Sequence, residues 1–320
     1  MLDNGVMGIG LSARKRANDL SDFGAELDEL QSYGVQSVEL PTFDMDIVVG
    51  TQVRPAQLAA LKRACAGRGL IYSVHGPLAI NLMDEDWRLP RHMEVLAASL
   101  DVAAELGAVH YVLHNGIASQ QQAAGRQAAQ DRQRARLARA AELAAGRGIV
   151  LCVETMFAGH VGRAVTPAPS QLAADLAAID HPNLRATLDF SHAYLKLSYD
   201  GRRDEYLDEM KAIAPWARHL HLHDSFGLAD DIHMHSVGER VAFGHGDLHL
   251  PLGWGDIPWL RIFDECVFPE GVLFNLEMKD RFWYAVPEAL AQAQGFAARA
   301  RTAQARPALA GARLAASTRS

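Results

Sequence analysis

Cysteine is scarce in this chain. Cys65, Cys152 and Cys266 stand far apart with no CxxC spacing. That excludes a disulfide framework and a thiolate-built metal site, and it suits a reducing compartment. Long apolar runs are missing too: nothing approaches the roughly 20 residues of a membrane-spanning helix. The opening stretch MLDNGVMGIGLSARKR lacks the basic, apolar, small-residue order of a secretory signal. A cytoplasmic location without membrane attachment is the resulting expectation. Positive charge is not in excess. The 31 Lys and Arg face 38 Asp and Glu, a formal net charge of −7, so no general polyanion-binding face is expected.

What is present is periodic. Short apolar runs at Val6–Leu11, Val35–Leu40, Leu70–His75, Val109–His114, Ile149–Glu154, Leu184–Asp189, Ala217–His223 and Gly271–Glu277 read as buried strands. Between them lie Ala-, Leu- and Glu-rich helical patterns, clearest at Gln57–Gly67, Arg91–Leu106, Ala123–Ala145, Gln171–Ala178 and Glu288–Arg299. Gly34, Gly69, Gly107 and Gly148 each precede a strand, where a left-handed cap ends the helix before it. Strand and helix alternating eight times predict a (β/α)8 TIM barrel of the α/β class, one domain over residues 1–300. The Ala/Arg-rich tail, 301–320, is expected to be disordered. Two connections, Gly76–Trp87 and Asp224–Gly255, exceed the few residues usual in this fold. Both follow strands, on the side where barrel enzymes place their active sites.

Six of the strand runs end, or nearly end, in a metal-binding side chain: YSVH, YVLH, LCVE, ATLD, HLHLH and LFNLE. These supply His75, His114, Glu154, Asp189, His221 and Glu277. A lone ionisable residue closing an apolar strand is ordinarily a satisfied core residue, because burying it otherwise is costly. Recurrence once per strand unit instead describes ligands converging at one end of a barrel. His192, in DFSH, can fold back onto the same site, and Asp247-x-His249 adds two more donors. Strand alternation places His219, His221 and His223 on one face, so His219 and His223, with His192, are candidate substrate contacts. Lys279 and Arg281 are candidate anion contacts. Imidazoles mixed with carboxylates suit Zn²⁺ or Mn²⁺, and also Co²⁺ or Fe²⁺. Nine such donors exceed what one tetrahedral ion uses, so the expectation is one to three ions, with carboxylates such as Glu154 bridging. His110 and His181 read as structural. His233, His235 and His245, beside Asp230 and Asp231, read as a solvated loop.

The ordered motifs VHGPLAINL, VLHNG, CVET, TLDFSHAYL, HLHLHD, DLHLPLGWGDIPW and NLEMK resemble the xylose-isomerase-like barrels. The resemblance is to the sugar phosphate isomerase/epimerase branch and its relative endonuclease IV, across roughly residues 6–300. It implies that Glu154, Asp189, His221 and Glu277 hold one Mn²⁺-like ion in the epimerase pattern, with the two glutamates moving protons on opposite faces of a sugar. In the endonuclease IV pattern all nine residues hold three zinc ions. The chain departs from that second pattern where DNA would be read. PTFDMDIVV follows strand two without basic residues, Gly-Pro-Leu follows His75, and His-Asn-Gly stands for His-Pro-Gly. The leading expectation is therefore a metal-dependent isomerase or epimerase of a sugar-like polyol or ketose, working by proton transfer through an enediolate with Glu154 and Glu277 as base and acid. A multinuclear zinc phosphodiesterase is the alternative, and a non-catalytic ligand-binding barrel the third. The expected partner is a small-molecule substrate, with nucleic acid and membrane disfavoured and homo-oligomerisation left open.

Overall fold

The computed structural model describes residues 5–119, 126–158 and 164–300. The tail and the first residues of the Ala123–Ala145 helix lie outside that range. Eight strands form the barrel: β1 Val6–Ser12, β2 Ser37–Pro41, β3 Ile71–His75, β4 His110–His114, β5 Val150–Glu154, β6 Leu184–Asp189, β7 Ala217–Leu222 and β8 Val272–Leu276. Each pairs in parallel with its neighbours in chain order, and β1 closes the ring against β8. The helices between them are α1 Phe23–Ser32, α2 Pro55–Cys65, α3 Leu89–Glu105, α4 Arg126–Ala145, α5 Pro169–Ile179, α6 Phe190–Tyr199, α7 Tyr206–Ile213, α8 Val237–Phe243 and α9 Trp259–Glu265, followed by α10 over 286–300. No helix among the described residues is long and apolar enough to cross a membrane.

The pleat decides what faces where. Leu151, Val153, Leu220 and Leu222 point outward into the apolar layer between strands and helices. Their neighbours Cys152, Glu154, His219 and His221 point inward and are fully buried. Under β6–β8 that outer layer is aromatic, with Phe190, Trp259, Phe263 and Phe296 in mutual contact. Strand register then levels the ends: His114 lies opposite Glu154, and Asp189 opposite His221. All four glycines expected to cap helices have positive φ, between 66° and 77°.

Both long connections are tied down. Arg136 of α4, buried beneath the β3–α3 connection, donates to the carbonyls of Leu82 and Asp84 at 2.7 and 2.8 Å. In the β7–α9 connection the buried Asp224 carboxylate accepts from Gly253 N and Trp259 Nε1 at 2.8 and 3.0 Å. The chain passes so close that a Cβ on Gly255 would sit 2.3 Å from Ser225 O, which only glycine avoids. This connection is not wholly irregular. It carries α8, started by a reciprocal capping box between Ser236 and Glu239.

Candidate metal centre

The strand ends and the β7–α9 connection bring the nine expected donors together. Glu154 lies at the centre. Its Oε2 stands 3.3 Å from His75 Nε2 and 3.4 Å from His114 Nε2, and its Oε1 stands 3.1 Å from His192 Nδ1 and 3.2 Å from His221 Nδ1. His221 Nδ1 also lies 3.4 Å from Glu277 Oε2 and 3.7 Å from Asp189 Oδ2. On the other side Asp247 Oδ2 lies 2.8 Å from His249 Nε2 and 3.4 Å from His192 Nε2. Among the described residues five sets have donor atoms within 4.8 Å of one another: Glu154, Asp189, His221 and Glu277; His75, His114 and Glu154; His75, His221 and Glu277; His192, His223, Asp247 and His249; and, deeper, Glu39, His219 and His221.

The local sequence explains each placement. Asp189 ends β6 and caps α6, accepting His192 N at 2.8 Å; the first helical turn then carries the His192 ring back over the strand ends. His249 adopts a left-handed φ of +47°, which turns its ring against His223 at 3.9 Å between centroids. The ring nitrogens are oriented from behind. Nδ1 of His75, His192 and His249 lies 3.1, 3.2 and 2.9 Å from the carbonyls of Gly76, Thr155 and Glu277. A carbonyl only accepts, so each Nδ1 carries the proton and each Nε2 is free to face a carboxylate. Metal-binding histidines are held in this way.

The charges make the same point. Burial alone would raise the Glu154 carboxyl, but the charges of His221 and His114 and hydrogen bonds from His192 and His221 hold it well below the usual range. Burial would likewise depress His75, yet its close pairing with the Glu154 carboxylate and the charges of Glu39 and Glu277 push it up to about 9. His114 behaves oppositely: burial dominates and brings it down to about 4. Glu154 Oε2 is nevertheless fully buried without a hydrogen-bond partner, and an orphaned anionic oxygen of this kind is costly. A divalent cation fits this donor set, since it would supply the positive charge that protons on the imidazoles otherwise provide.

A cavity of about 430 Å³ opens above these residues. Glu154, Glu277, His192 and Lys279 reach its wall, beneath a rim of apolar side chains that includes Phe43 and Met156. His219 and His223, the candidate substrate contacts, are fully buried and are not among the residues that line the cavity. Strand alternation gives a residue's face but not its depth. His223 Nε2 holds Asp189 Oδ2 at 2.9 Å. Arg281 lines an adjoining groove with Met278 and Lys279. His110 is buried inside the barrel, His181 caps a turn by accepting Asn183 N, and His233 and His235 are exposed. His245, read with them as solvated, is instead half-buried, its Nδ1 against the carbonyl of Ala229.

One residue was not anticipated. Glu39, on the inner face of β2, is buried with its carboxylate 3.2 Å from His221 Nε2. Its signal is a lone acid inside the apolar run SVELP.

The sequence matches the family described as xylose isomerase-like TIM barrel over residues 27–299. The chain belongs to that family. No curated protein sequence matches it. Among solved structures, a D-tagatose 3-epimerase-like protein superposes with a TM-score of 0.66 at 18% identity, covering 92% of this chain and 99% of the other. Endonuclease IV from Thermus thermophilus gives 0.59 at 22% identity, with coverages of 89% and 99%. The TTHB071 protein of the same organism, from crystals soaked with ZnCl2, gives 0.59 at 22%, with 90% and 98%. At these identities the likeness establishes the barrel fold that the family shares.

Proposed function

We propose that the protein is a divalent-metal-dependent isomerase or epimerase acting on a small polyol, ketose or related carbonyl compound. The observation that carries this reading is the pair Glu154 and Glu277. They come from non-adjacent strands, lie 3.2 and 3.4 Å from the same His221 nitrogen, and both reach one cavity wall. Glu154, Asp189, His221 and Glu277 would hold a zinc or manganese ion. His75, His114, His192, Asp247 and His249 would hold further ions or orient substrate oxygens. When bound, such an ion polarises neighbouring substrate oxygens and acidifies the C–H bond beside them.

The chain's own residues do the rest. Glu154, kept ionised by the imidazoles around it, takes the proton from carbon, and Glu277 delivers one from the other side. The rim side chains Phe43, Leu78, Phe157 and Met278 limit water at the reacting carbon. Lys279 at the wall attracts the electron-rich end of the substrate. The similarity to an epimerase-like protein and the cavity's small size support this reading.

The second reading is a zinc phosphodiesterase, favoured by the additional donor set around Asp247 and the likeness to endonuclease IV. Against it, the β2–α2 connection at the mouth exposes Phe43, Asp44 and Asp46, an acidic and apolar surface that would repel a duplex. Incubation of the metal-loaded protein in D₂O with a panel of ketoses and inososes decides between them. The proposal expects deuterium at the carbon beside the carbonyl, lost in Glu154→Gln and in Glu277→Gln. Metal-dependent cleavage of abasic-site DNA with no exchange on any of the panel would promote the second reading.

A further inference from the structure

Below the donor layer the barrel holds a line of polar groups that the proposed chemistry does not use: His110, His219 and Glu39, each almost wholly buried. His110 Nδ1 lies 3.4 Å from His219 Nδ1. His219 Nε2 has no hydrogen-bond partner in good geometry, and Glu39 Oε2 is 3.0 Å away from it. Glu39 lies 3.2 Å from His221 Nε2, and His221 Nδ1 looks up at Glu154, Glu277 and Asp189. The carboxylate is fixed from the side, accepting from Ser12 Oγ and Asn275 Nδ2, each at 3.2 Å.

We infer that this line sets the proton positions of its histidines in one direction, so that Glu39 is a positioning residue for His221. The carboxylate can only accept, so the facing Nε2 atoms of His219 and His221 both carry hydrogen. His219 Nδ1 is then a lone pair, which requires His110 to donate from its own Nδ1. At the other end His221 Nδ1 faces three carboxylates and carries hydrogen in the metal-free protein; with Nε2–H held against Glu39, Nδ1 is the atom that gives up its proton when an ion binds. A carboxylate behind an imidazole both fixes its tautomer and raises its basicity, and losing such a partner typically costs 10–100-fold in metal affinity. The line thus explains why an acid is placed inside β2, where an apolar residue would otherwise sit.

The inference rests on the metal-centre reading, and the test separates the two. Protein labelled with ¹⁵N at its histidine rings and loaded with zinc would be examined by long-range proton–nitrogen correlation. The expected result is Nε2–H at His219 and His221 and Nδ1–H at His110. Zinc affinity would be measured by chelator competition for wild type, Glu39→Gln and His219→Phe. Glu39→Gln places an amide N–H against one of two imidazole N–H groups and forces a tautomer to change. It should weaken zinc roughly 10-fold or more with the barrel's circular dichroism unchanged, whereas His219→Phe should weaken it less than about 5-fold. Zinc uptake by the wild type with His221 protonated at Nδ1, or with Glu39→Gln binding as well as wild type, overturns the inference alone. Failure of the wild type to take up zinc overturns it together with the metal-centre reading. The tautomer measurement needs no variant, so a Glu39→Gln protein that does not fold leaves it decisive.

Discussion

At the top of the barrel Glu154 Oε2 faces His75 and His114 and has no hydrogen-bond partner. One inward step lower, Glu39 is surrounded by Ser12, Ser73, Asn275 and His221. Both carboxylates are fully buried, so burial does not distinguish them. The kind of neighbour does. Glu39 accepts hydrogen bonds from Ser12, Ser73 and Asn275 beside the charge of His221, which locks it in place. The upper layer crowds Glu154, Asp189, Asp247 and Glu277 among several imidazoles and leaves valences open, an arrangement that protons alone satisfy poorly. Hydrogen bonds fix the lower carboxylate, whereas the upper one keeps an oxygen without a hydrogen-bond partner, where we propose an ion binds.

The largest effect should come from Glu154, which belongs both to the set with Asp189, His221 and Glu277 and to the set with His75 and His114. Glu154→Gln is nearly isosteric but removes a ligand charge and the proposed base. Metal retained through purification, read by elemental analysis, should fall more than about tenfold, and proton exchange on substrate about 10³-fold. Retention of full metal content would show that the layer is merely a charge network. Next in size is the double change His75→Ala and His114→Ala. Both rings face Glu154 Oε2 and neither touches the Asp189 and Glu277 oxygens as closely. Zinc stoichiometry should therefore drop while one ion survives. A wild type that saturates at one ion in zinc titration would instead make these two histidines substrate contacts.

Much of the upper layer was legible because polar residues ending apolar strands are conspicuous. LRATLD, for instance, marks both the span of β6 and its candidate donor, Asp189. The lower layer was harder. His219 alternates correctly with His221, but its depth depends on register with β6 and β8, which no single strand encodes. Glu39 lies two residues before the end of β2, inside an apolar run closed by proline, so it lacked the strand-end position shared by the other donors. Helix α8 was readable in principle, since Ser236 and Glu239 spell its capping box in SVGE; the surrounding histidines and aspartates drew the reading toward irregular loop.

His75 in the upper layer and His110 in the lower should also differ in the sign of their pH dependence. His75 is pushed up to about 9 from 6.5, so in the metal-free protein its contribution to stability is complete below 6.5 and lost as pH rises through 9. A bound ion must displace that proton, so zinc affinity should rise with pH and level off above about 9. His110, in the lower layer, is pushed down to about 3, first by burial and then by the charge of His219 and Arg218. Its contribution is complete above 6.5 and lost as pH falls from there toward 3. Melting of metal-free and zinc-loaded protein from about pH 5 to 10 checks both. The gap in Tm between them should widen with pH, and a gap that narrows would contradict the assignment of His75.

The smallest effect tests whether everything beneath the donors matters to them. Cys152 sits on the inner face of β5, two residues before Glu154, fully buried, with burial pushing its thiol far above the usual range. Its sulfur is 3.9 Å from Val150 O, and no ion pair involves it among the described residues. Cys152→Ala should therefore act through packing alone. The small void left behind should cost about 1 kcal/mol, in the lower range for large-to-small core changes, read as a lowered urea midpoint at unchanged slope. Zinc affinity should stay within about twofold of wild type, since no hydrogen bond reaches from the thiol to a donor. If instead affinity fell as far as in Glu39→Gln, the lower layer would be transmitting packing rather than proton position. The contrast between a passive filler at Cys152 and a positioning acid at Glu39 would then be lost.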